Sequence, residues 1–116
     1  MLSRARQNRA KSPDADIISF VEANITSMPL PAAIADCIIS NCVINLVPEP
    51  EKPAVFMQMA HLLKSGGRVA ISDILALKPL PTTLKETVAA YVGCVSGASV
   101  KEDYIKYLEE AGFSGV

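Results

Sequence analysis

The sequence predicts an α/β protein with a partial Rossmann-like fold of three layers, α/β/α, whose middle layer is an incomplete parallel sheet. Three short runs rich in Ile, Val and Ala, bounded by turn residues, indicate strands. Helical patterns precede, separate and follow these runs, and strands that alternate with helices favour a parallel sheet. The 116 residues, half of them hydrophobic, suffice for one domain covering 1–116.

Charge and cysteine usage narrow the class of protein. A net charge of −1 argues against binding nucleic acid through bulk charge. No apolar run reaches the ~18 residues of a membrane span, and no apolar stretch follows the N-terminal charges as in a secretory signal. Three cysteines without a C-x-x-C pair are typical of reduced thiols. We therefore expect a cytoplasmic protein that binds neither nucleic acid nor membrane.

The first half of the chain predicts one helix and two strands. Leu2 to Lys11 reads as the end of a polar helix, which Ser12-Pro13 terminates. Ile17–Val21 and Ile34–Ser40 are predicted strands, the second one buried. Between them, the two prolines of Met28–Pro31 predict a loop, since neither a helix nor a central strand accommodates them.

A helix and a third strand follow. The helix is predicted from Pro53 to Lys64, with an apolar stripe along one face. The stripe consists of Val55, Met59, Leu62 and Leu63. Gly66-Gly67 is predicted to stop this helix, and Arg68–Asp73 to form the strand.

Two further helices are predicted from the spacing of their first residues. Thr83 with Glu86, and Ser99 with Glu102, have the spacing of a capping box. The predicted apolar face of the earlier helix comprises Leu84, Val88, Tyr91, Val92 and Val95. The later helix carries Ile105 and Leu108 and is expected to end at Gly112.

Several segments together resemble class I methyltransferases that use S-adenosylmethionine. The segment LLKSGGRVAISD is similar to the helix and turn before the fifth strand of that fold, and residues 20–25 are similar to its adenine-contacting segment. Two motifs resemble arsenite methyltransferases more narrowly: SNCVINL at 40–46 and YVGCVSGA at 91–98. The chain is identified as similar to that family over about nine tenths of its length, as a fragment of a methyltransferase domain.

The resemblance implies roles for two of the three cysteines. Cys42 and Cys94 correspond to thiols that bind trivalent arsenic, which makes them the expected catalytic and arsenic-binding residues. Thiolate is a soft ligand that suits arsenic(III), and the arsenic lone pair can then be placed in line with a methyl group. Cys37 lies in the middle of a predicted strand and is expected to pack as a small hydrophobic residue.

The implied cofactor is S-adenosylmethionine, with an incomplete site. The resemblance assigns adenine contacts to Ala23, Asn24 and Ile25, with the Asn24 carbonyl oxygen accepting from the adenine amino group, and the methionine part to Asn41. The family's glycine-rich loop has no counterpart here, since no G-x-G occurs. That loop and the acidic ribose ligand would precede Met1.

Alternatives to arsenite methylation remain at this point. One is a thiol protein that binds arsenic(III) or a soft metal without catalysis, and another is a small-molecule methyltransferase of different specificity. The expected substrate is arsenite or its thiol conjugates. Asp73, at the end of its strand, is a weaker site candidate. Because neighbouring strands of the family's sheet are missing, the first strand is expected to re-pair with its neighbour, or two chains to form a homodimer or swapped oligomer.

Overall fold

A computed structural model describes residues 1–87 and 94–116. Helix α1 spans Leu2–Ala10, strand β1 Ala35–Asn41, helix α2 Lys52–Leu62, strand β2 Leu63–Ser72, helix α3 Thr82–Lys85 and helix α4 Lys101–Glu110. Short 3₁₀ turns lie at Ala15–Ile17, Ile44–Leu46 and Glu49–Glu51. The chain is therefore α/β, as predicted.

Strands β1 and β2 pair in parallel and end together. Ile38 lies opposite Val69, and Asn41 lies opposite Ser72. Helix α2 connects the two strands, so β1, α2 and β2 form a βαβ unit. This unit places the residues after β1 and those after β2 side by side at the carboxyl edge of the sheet.

The core lies between one face of this sheet and two helices. Its fully packed members are Ile44, Val55, Phe56, Met59, Tyr104 and Leu108. Phe56 of α2 meets the Tyr104 ring edge-on, with ring centroids 5.0 Å apart. From the sheet, Ile38, Val69 and Ile71 pack against the same cluster. Helix α1 buries none of its residues.

The opposite face of the sheet is open among the described residues. Ile39 points there and is 80% exposed. Cys37 is exposed as well, so the expectation that it packs as a small hydrophobic residue is wrong. Its position in a strand is as predicted, but no helix of the described residues covers this side of β1. The radius of gyration, 15.9 Å, exceeds the about 13 Å typical of a compact domain of similar length.

The predicted strand Ile17–Val21 does not form, and it does not re-pair with a neighbour. The chain makes a 3₁₀ turn at Ala15–Ile17, and the residues that follow belong to neither β1 nor β2. Ile17 is 84% and Val21 52% exposed. A β-branched run becomes a strand only when a neighbour accepts its backbone hydrogen bonds, and within the described residues the sheet consists of β1 and β2 alone.

The boundary between α2 and β2 also differs from the prediction. The helix ends at Leu62, and β2 begins at Leu63 instead of Arg68. Gly66 and Gly67 lie inside β2, where φ at Gly66 is +80°. A Cβ on Gly67 would lie 2.9 Å from the carbonyl oxygen of Lys64, so the glycines permit an irregular bend that the register confirms. Their role is to shape a strand, not to stop a helix.

Neither predicted capping box is present. The N-cap of α3 is Pro81 and that of α4 is Val100, and neither makes a side-chain capping bond. The hydroxyl of Ser99 instead donates to Glu49. Gly112 does follow the end of α4 and has φ +96°, as expected for a helix terminus. Val88, Tyr91 and Val92 of the predicted apolar face lie outside the described residues.

Candidate functional site

The carboxyl edge of the sheet gathers most of the predicted site residues. Asn41 is the last residue of β1, and Cys42 follows it. The Cys42 amide donates to the carbonyl oxygen of Ser72 at 2.8 Å, which extends the ladder one step beyond the strands. Asp73 comes directly after β2. Ligands of open α/β sheets bind at this edge, so the topology places these side chains where a site is expected.

Cys94 reaches the same edge from a segment 52 positions later in the chain. Its thiol donates to the carbonyl oxygen of Cys42, with a sulfur-to-oxygen distance of 3.4 Å. Cys42 is exposed and Cys94 is half-buried. The structure thus brings together the two cysteines that the sequence singled out, and it leaves Cys37 on the open face of the sheet.

Both cysteines have a left-handed backbone, with φ of +54° at Cys42 and +58° at Cys94. Among the described residues, Ala33 is the other non-glycine with positive φ. Residues with a Cβ enter this region at a cost of order 1–3 kcal/mol and persist where their surroundings hold them. Such strain concentrates at functional sites. Its presence at both cysteines supports a functional interpretation of the pair.

Three neighbouring features raise the pKa of the Cys94 thiol above its ordinary value. Partial desolvation contributes most, followed by Cys42 and by the negative charge of Asp73. A hydrogen bond with the Cys42 side chain acts in the same direction because it favours the protonated thiol. Cys94 is therefore a neutral thiol near pH 7.

Asp73 is partly buried behind the cysteines. One carboxylate oxygen, Oδ2, accepts from the Tyr104 hydroxyl at 3.2 Å, and the backbone amides of Ile44 and Asn45 lie close enough to lower the pKa of the carboxyl group. Burial raises the pKa of Asp73 despite the opposing hydrogen bond from Tyr104. Burial also raises the pKa of Tyr104, and the negative charge and hydrogen bond of Asp73 raise it further.

A buried lysine anchors the segment that follows Cys94. Lys52, fully buried at the start of α2, donates to the Gly97 carbonyl oxygen, to Ser99 Oγ at 2.7 Å and to Glu49 Oε2 at 2.9 Å. Ser99 in turn donates to Glu49 at 2.9 Å. Tyr107 of α4 donates to the other Glu49 oxygen at 3.0 Å. We call these residues the lysine network: Glu49, Lys52, Gly97, Ser99 and Tyr107. The network joins α2 and α4 to residues 94–99, the Cys94 segment.

The network shifts two pKa values in the directions expected of an ion pair. Burial alone would raise the pKa of Glu49, but hydrogen bonds from Lys52, Ser99 and Tyr107 lower it overall. Burial and the Glu49 carboxylate raise the pKa of Tyr107 to about 12. Glu49 is thus held as a carboxylate and Tyr107 as a neutral phenol at neutral pH.

The predicted adenine segment lies on a tight turn. The Asn24 carbonyl oxygen Oδ1 accepts from the amide and hydroxyl of Thr26, at 3.0 and 2.9 Å. The Met28 amide donates to Gln58 of α2 at 3.2 Å. Ala23 and Asn24 are exposed, and Ile25 packs partly against the core. Oδ1 thus already has two donors in this structure, and the hydrogen bond from an adenine amino group stays a prediction.

Two polar residues of the site were missed from the sequence: Asn45 and Lys52. Asn45 lies inside the SNCVINL motif, where an amide between Ile44 and Leu46 interrupts an apolar run and could have signalled a buried polar contact. Lys52 follows closely spaced prolines and acidic residues and carries no such signal. Within the described residues, no group of three His, Cys, Asp or Glu side chains is arranged to hold a metal ion.

Comparison with protein families settles the class. The family model described as "Methyltransferase domain" matches residues 1–112. The chain belongs to the methyltransferase domain family. It is 41% identical, over all 116 residues, to an arsenite methyltransferase of Halobacterium salinarum and spans 29% of that relative's length.

Two solved structures share the fold of this methyltransferase domain. An arsenic(III) S-adenosylmethionine methyltransferase from Chlamydomonas reinhardtii superposes with a TM-score of 0.72 at 29% identity, over 83% of this chain and 32% of that one. "PigF with SAH" superposes with a TM-score of 0.68 at 19% identity, over 97% and 39% of the two chains. The second likeness concerns the fold alone. In the described residues, no helix combines the length and apolarity that a membrane crossing requires.

Replacing Lys52 by Met should destabilise the domain by about 2–3 kcal/mol, because Ser99, Gly97 and Glu49 lose a buried donor. The cost stays below that of a fully buried pair since the Glu49 side chain is 47% exposed. Urea unfolding at pH 7 measures it. Lys64→Met is the matched control: Lys64 pairs with an 83%-exposed Asp36, so its loss should cost about 0–1 kcal/mol.

The same comparison has a defined pH dependence. Because the folded pKa of Glu49 is lowered, its contribution is complete above the unfolded value near 4.5 and is lost as pH falls through the folded value. The stability difference between the wild type and Lys52→Met should therefore narrow below pH 4.5. A difference that stays constant from pH 7 to pH 3 would contradict the assigned network.

Proposed function

We propose that this domain is the thiol-bearing part of an S-adenosylmethionine-dependent arsenite methyltransferase of the cytoplasm. The observation that carries the proposal is the contact between Cys94 and Cys42 at the carboxyl edge of the sheet. Two soft thiols on strained backbone suit arsenic(III), which prefers sulfur ligands. The similarity to arsenite methyltransferases over the whole chain supports the same substrate.

The proposed chemistry at the cysteines is a condensation. Each thiol replaces one hydroxide of arsenious acid: an S–As bond forms, an As–O bond breaks, and the thiol proton leaves with the hydroxide as water. Two such steps release two waters and leave arsenic(III) with one remaining hydroxide and its lone pair. Because Cys94 is protonated near neutral pH, it can supply its proton to the departing hydroxide. The pair then fixes the direction of the lone pair.

Arsenite binding tests this step directly. Reduced wild type and Cys37→Ser should both bind arsenite one to one in calorimetric titration, because both keep Cys42 and Cys94. Cys42→Ser and Cys94→Ser should each bind about 100-fold more weakly, since the second thiol acts at high effective concentration once the first has bound. Equal losses in all three variants, or undetectable binding by the wild type, would refute the proposed site.

S-adenosylmethionine would supply the methyl group. Asn41, exposed at the carboxyl edge, and the segment Ala23–Ile25 are the residues of this chain proposed to hold it. The fit at Asn24 is specific: with Oδ1 occupied by Thr26, its amide presents Nδ2–H₂ donors, which match an acceptor nitrogen of the adenine ring.

Cofactor affinity checks this assignment. Asn24→Asp keeps the acceptor for Thr26 but removes the donors, so it should weaken S-adenosylmethionine binding about two- to tenfold, one lost hydrogen bond being worth about 0.5–1.5 kcal/mol. Asn8→Asp, in the exposed helix α1, is the matched control and should leave the affinity unchanged. Equal affinity of Asn24→Asp and wild type in calorimetric titration would remove Asn24 from the site.

We further propose that the isolated chain is a homodimer or swapped oligomer. Within the described residues, each strand of the sheet pairs on one side, and the face around Ile39 is uncovered. Free strand edges and exposed apolar faces favour association, and a second copy carries the complementary donors and acceptors.

Sedimentation at micromolar concentration should give at least twice the 12.3 kDa of one chain. Ile39→Asp should raise the monomer fraction, because it places a charge on the open face, whereas Lys11→Asp beside α1 should not. A wild-type mass of 12.3 kDa would count against association.

A further inference from the structure

Asn45 connects the two cysteine segments through a buried side chain. It lies in the 3₁₀ turn Ile44–Leu46, three residues after Cys42, and is 3% exposed. Its amide nitrogen Nδ2 donates to the carbonyl oxygen of Ile74 at 2.7 Å and to that of Cys94 at 3.2 Å. One amide group thus ties the turn after β1 to the residues after β2 and to Cys94 itself.

A second contact joins Asn45 to the same segment through the backbone. A Cβ placed on Gly97 would lie 1.8 Å from the Asn45 carbonyl oxygen, so the two backbones touch at a distance that only glycine allows. The Cys94 segment therefore meets Asn45 at two points, three residues apart. Both contacts lie on the side of the segment that faces the turn after Cys42.

Cys94 needs such support because its backbone is left-handed, with φ +58°. A residue with a Cβ leaves this region when nothing holds it. The hydrogen bond from Asn45 fixes the peptide that follows Cys94. The side chain is suited to the task, since Nδ2 has two hydrogens for two carbonyl acceptors. Asn45 Oδ1 is buried without a partner, so in this structure the amide contributes hydrogen bonds through its donors alone.

We propose that Asn45 is a positioning residue that holds Cys94 opposite Cys42, so that a single arsenic(III) bridges both thiols. It acts through the Cys94 peptide and does not touch the substrate. The inference rests on the proposed function for its arsenic chemistry. The geometry of the thiol pair is independent of it and can be measured with a reagent that contains no arsenic.

The test compares Asn45→Leu and Asn45→Asp with the wild type. Leucine removes the donors at similar volume, and aspartate replaces them with oxygens that face two carbonyl groups. Both variants should bind arsenite at least tenfold more weakly. X-ray absorption should show the sulfur neighbours per arsenic falling from two towards one, while iodoacetamide still alkylates each thiol. Val55→Ala, a buried change in helix α2, controls for lost stability and should keep two sulfur neighbours and an affinity within twofold.

Gly97→Ala provides a second route if the Asn45 variants fail to fold. The added Cβ would push the Cys94 segment away while the Asn45 amide stays intact, so the same loss of arsenite affinity and of sulfur neighbours is expected. Wild-type affinity and two sulfur neighbours in any folded variant of Asn45 would overturn the inference. So would unchanged arsenite binding by Gly97→Ala.

Dibromobimane, a bifunctional alkylating reagent, separates this inference from the proposed function. It should bridge Cys42 and Cys94 within one chain in the wild type and in Val55→Ala, and it should leave them unbridged in Asn45→Leu, as mass mapping would show. If the wild type is bridged but binds no arsenite, the proposed function fails and the positioning role stands. If Asn45→Leu is bridged as readily as the wild type, the positioning role fails.

Discussion

The arrangement of the site depends on a buried cation. The segment from Cys94 to Ser99 offers small side chains to the core, so hydrophobic burial contributes little to holding it. Lys52 supplies the missing attachment through the Gly97 carbonyl oxygen and the Ser99 hydroxyl. A fully buried ammonium group is tolerated only when its protons find acceptors, so Lys52 requires this segment as much as the segment requires Lys52. That mutual requirement fixes where Cys94 can lie.

The parallel sheet supplies the other half of the site. Because β1 and β2 run in the same direction and end in register, Cys42 and Asp73 emerge at one edge. The turn after β1 then packs Ile44 into the core, which leaves Cys42 exposed and Asn45 buried. Core packing, a strained turn and a thiol thus occupy four consecutive positions. A substitution at one of these positions should shift the backbone of the others, because all four belong to one short turn.

Much of the fold followed from local patterns, and the exceptions share a cause. Helix α2 and strand β1 were predicted within one or two residues, the helix because its apolar residues repeat with the helical period and the strand because it is a short apolar run. The run Ile17–Val21 has strong β propensity but finds no partner among the described residues. Ser99 and Glu102 have the spacing of a capping box, yet the Ser99 hydroxyl accepts a hydrogen bond from the buried Lys52 instead. In both cases a long-range contact, or its absence, outweighed a local preference.

The sequence by itself determined the class of the protein and the order of its central elements, because residue type and spacing carry that information, and the resemblance to arsenite methyltransferases singled out two of its three cysteines. Tertiary structure decided the rest. Only the fold shows that Cys94 returns to Cys42 across 52 positions and that Asn45 spans both segments. The physical reason is that hydrogen bonds between distant residues leave no periodic trace in a single sequence. They exist only once packing has brought donor and acceptor together.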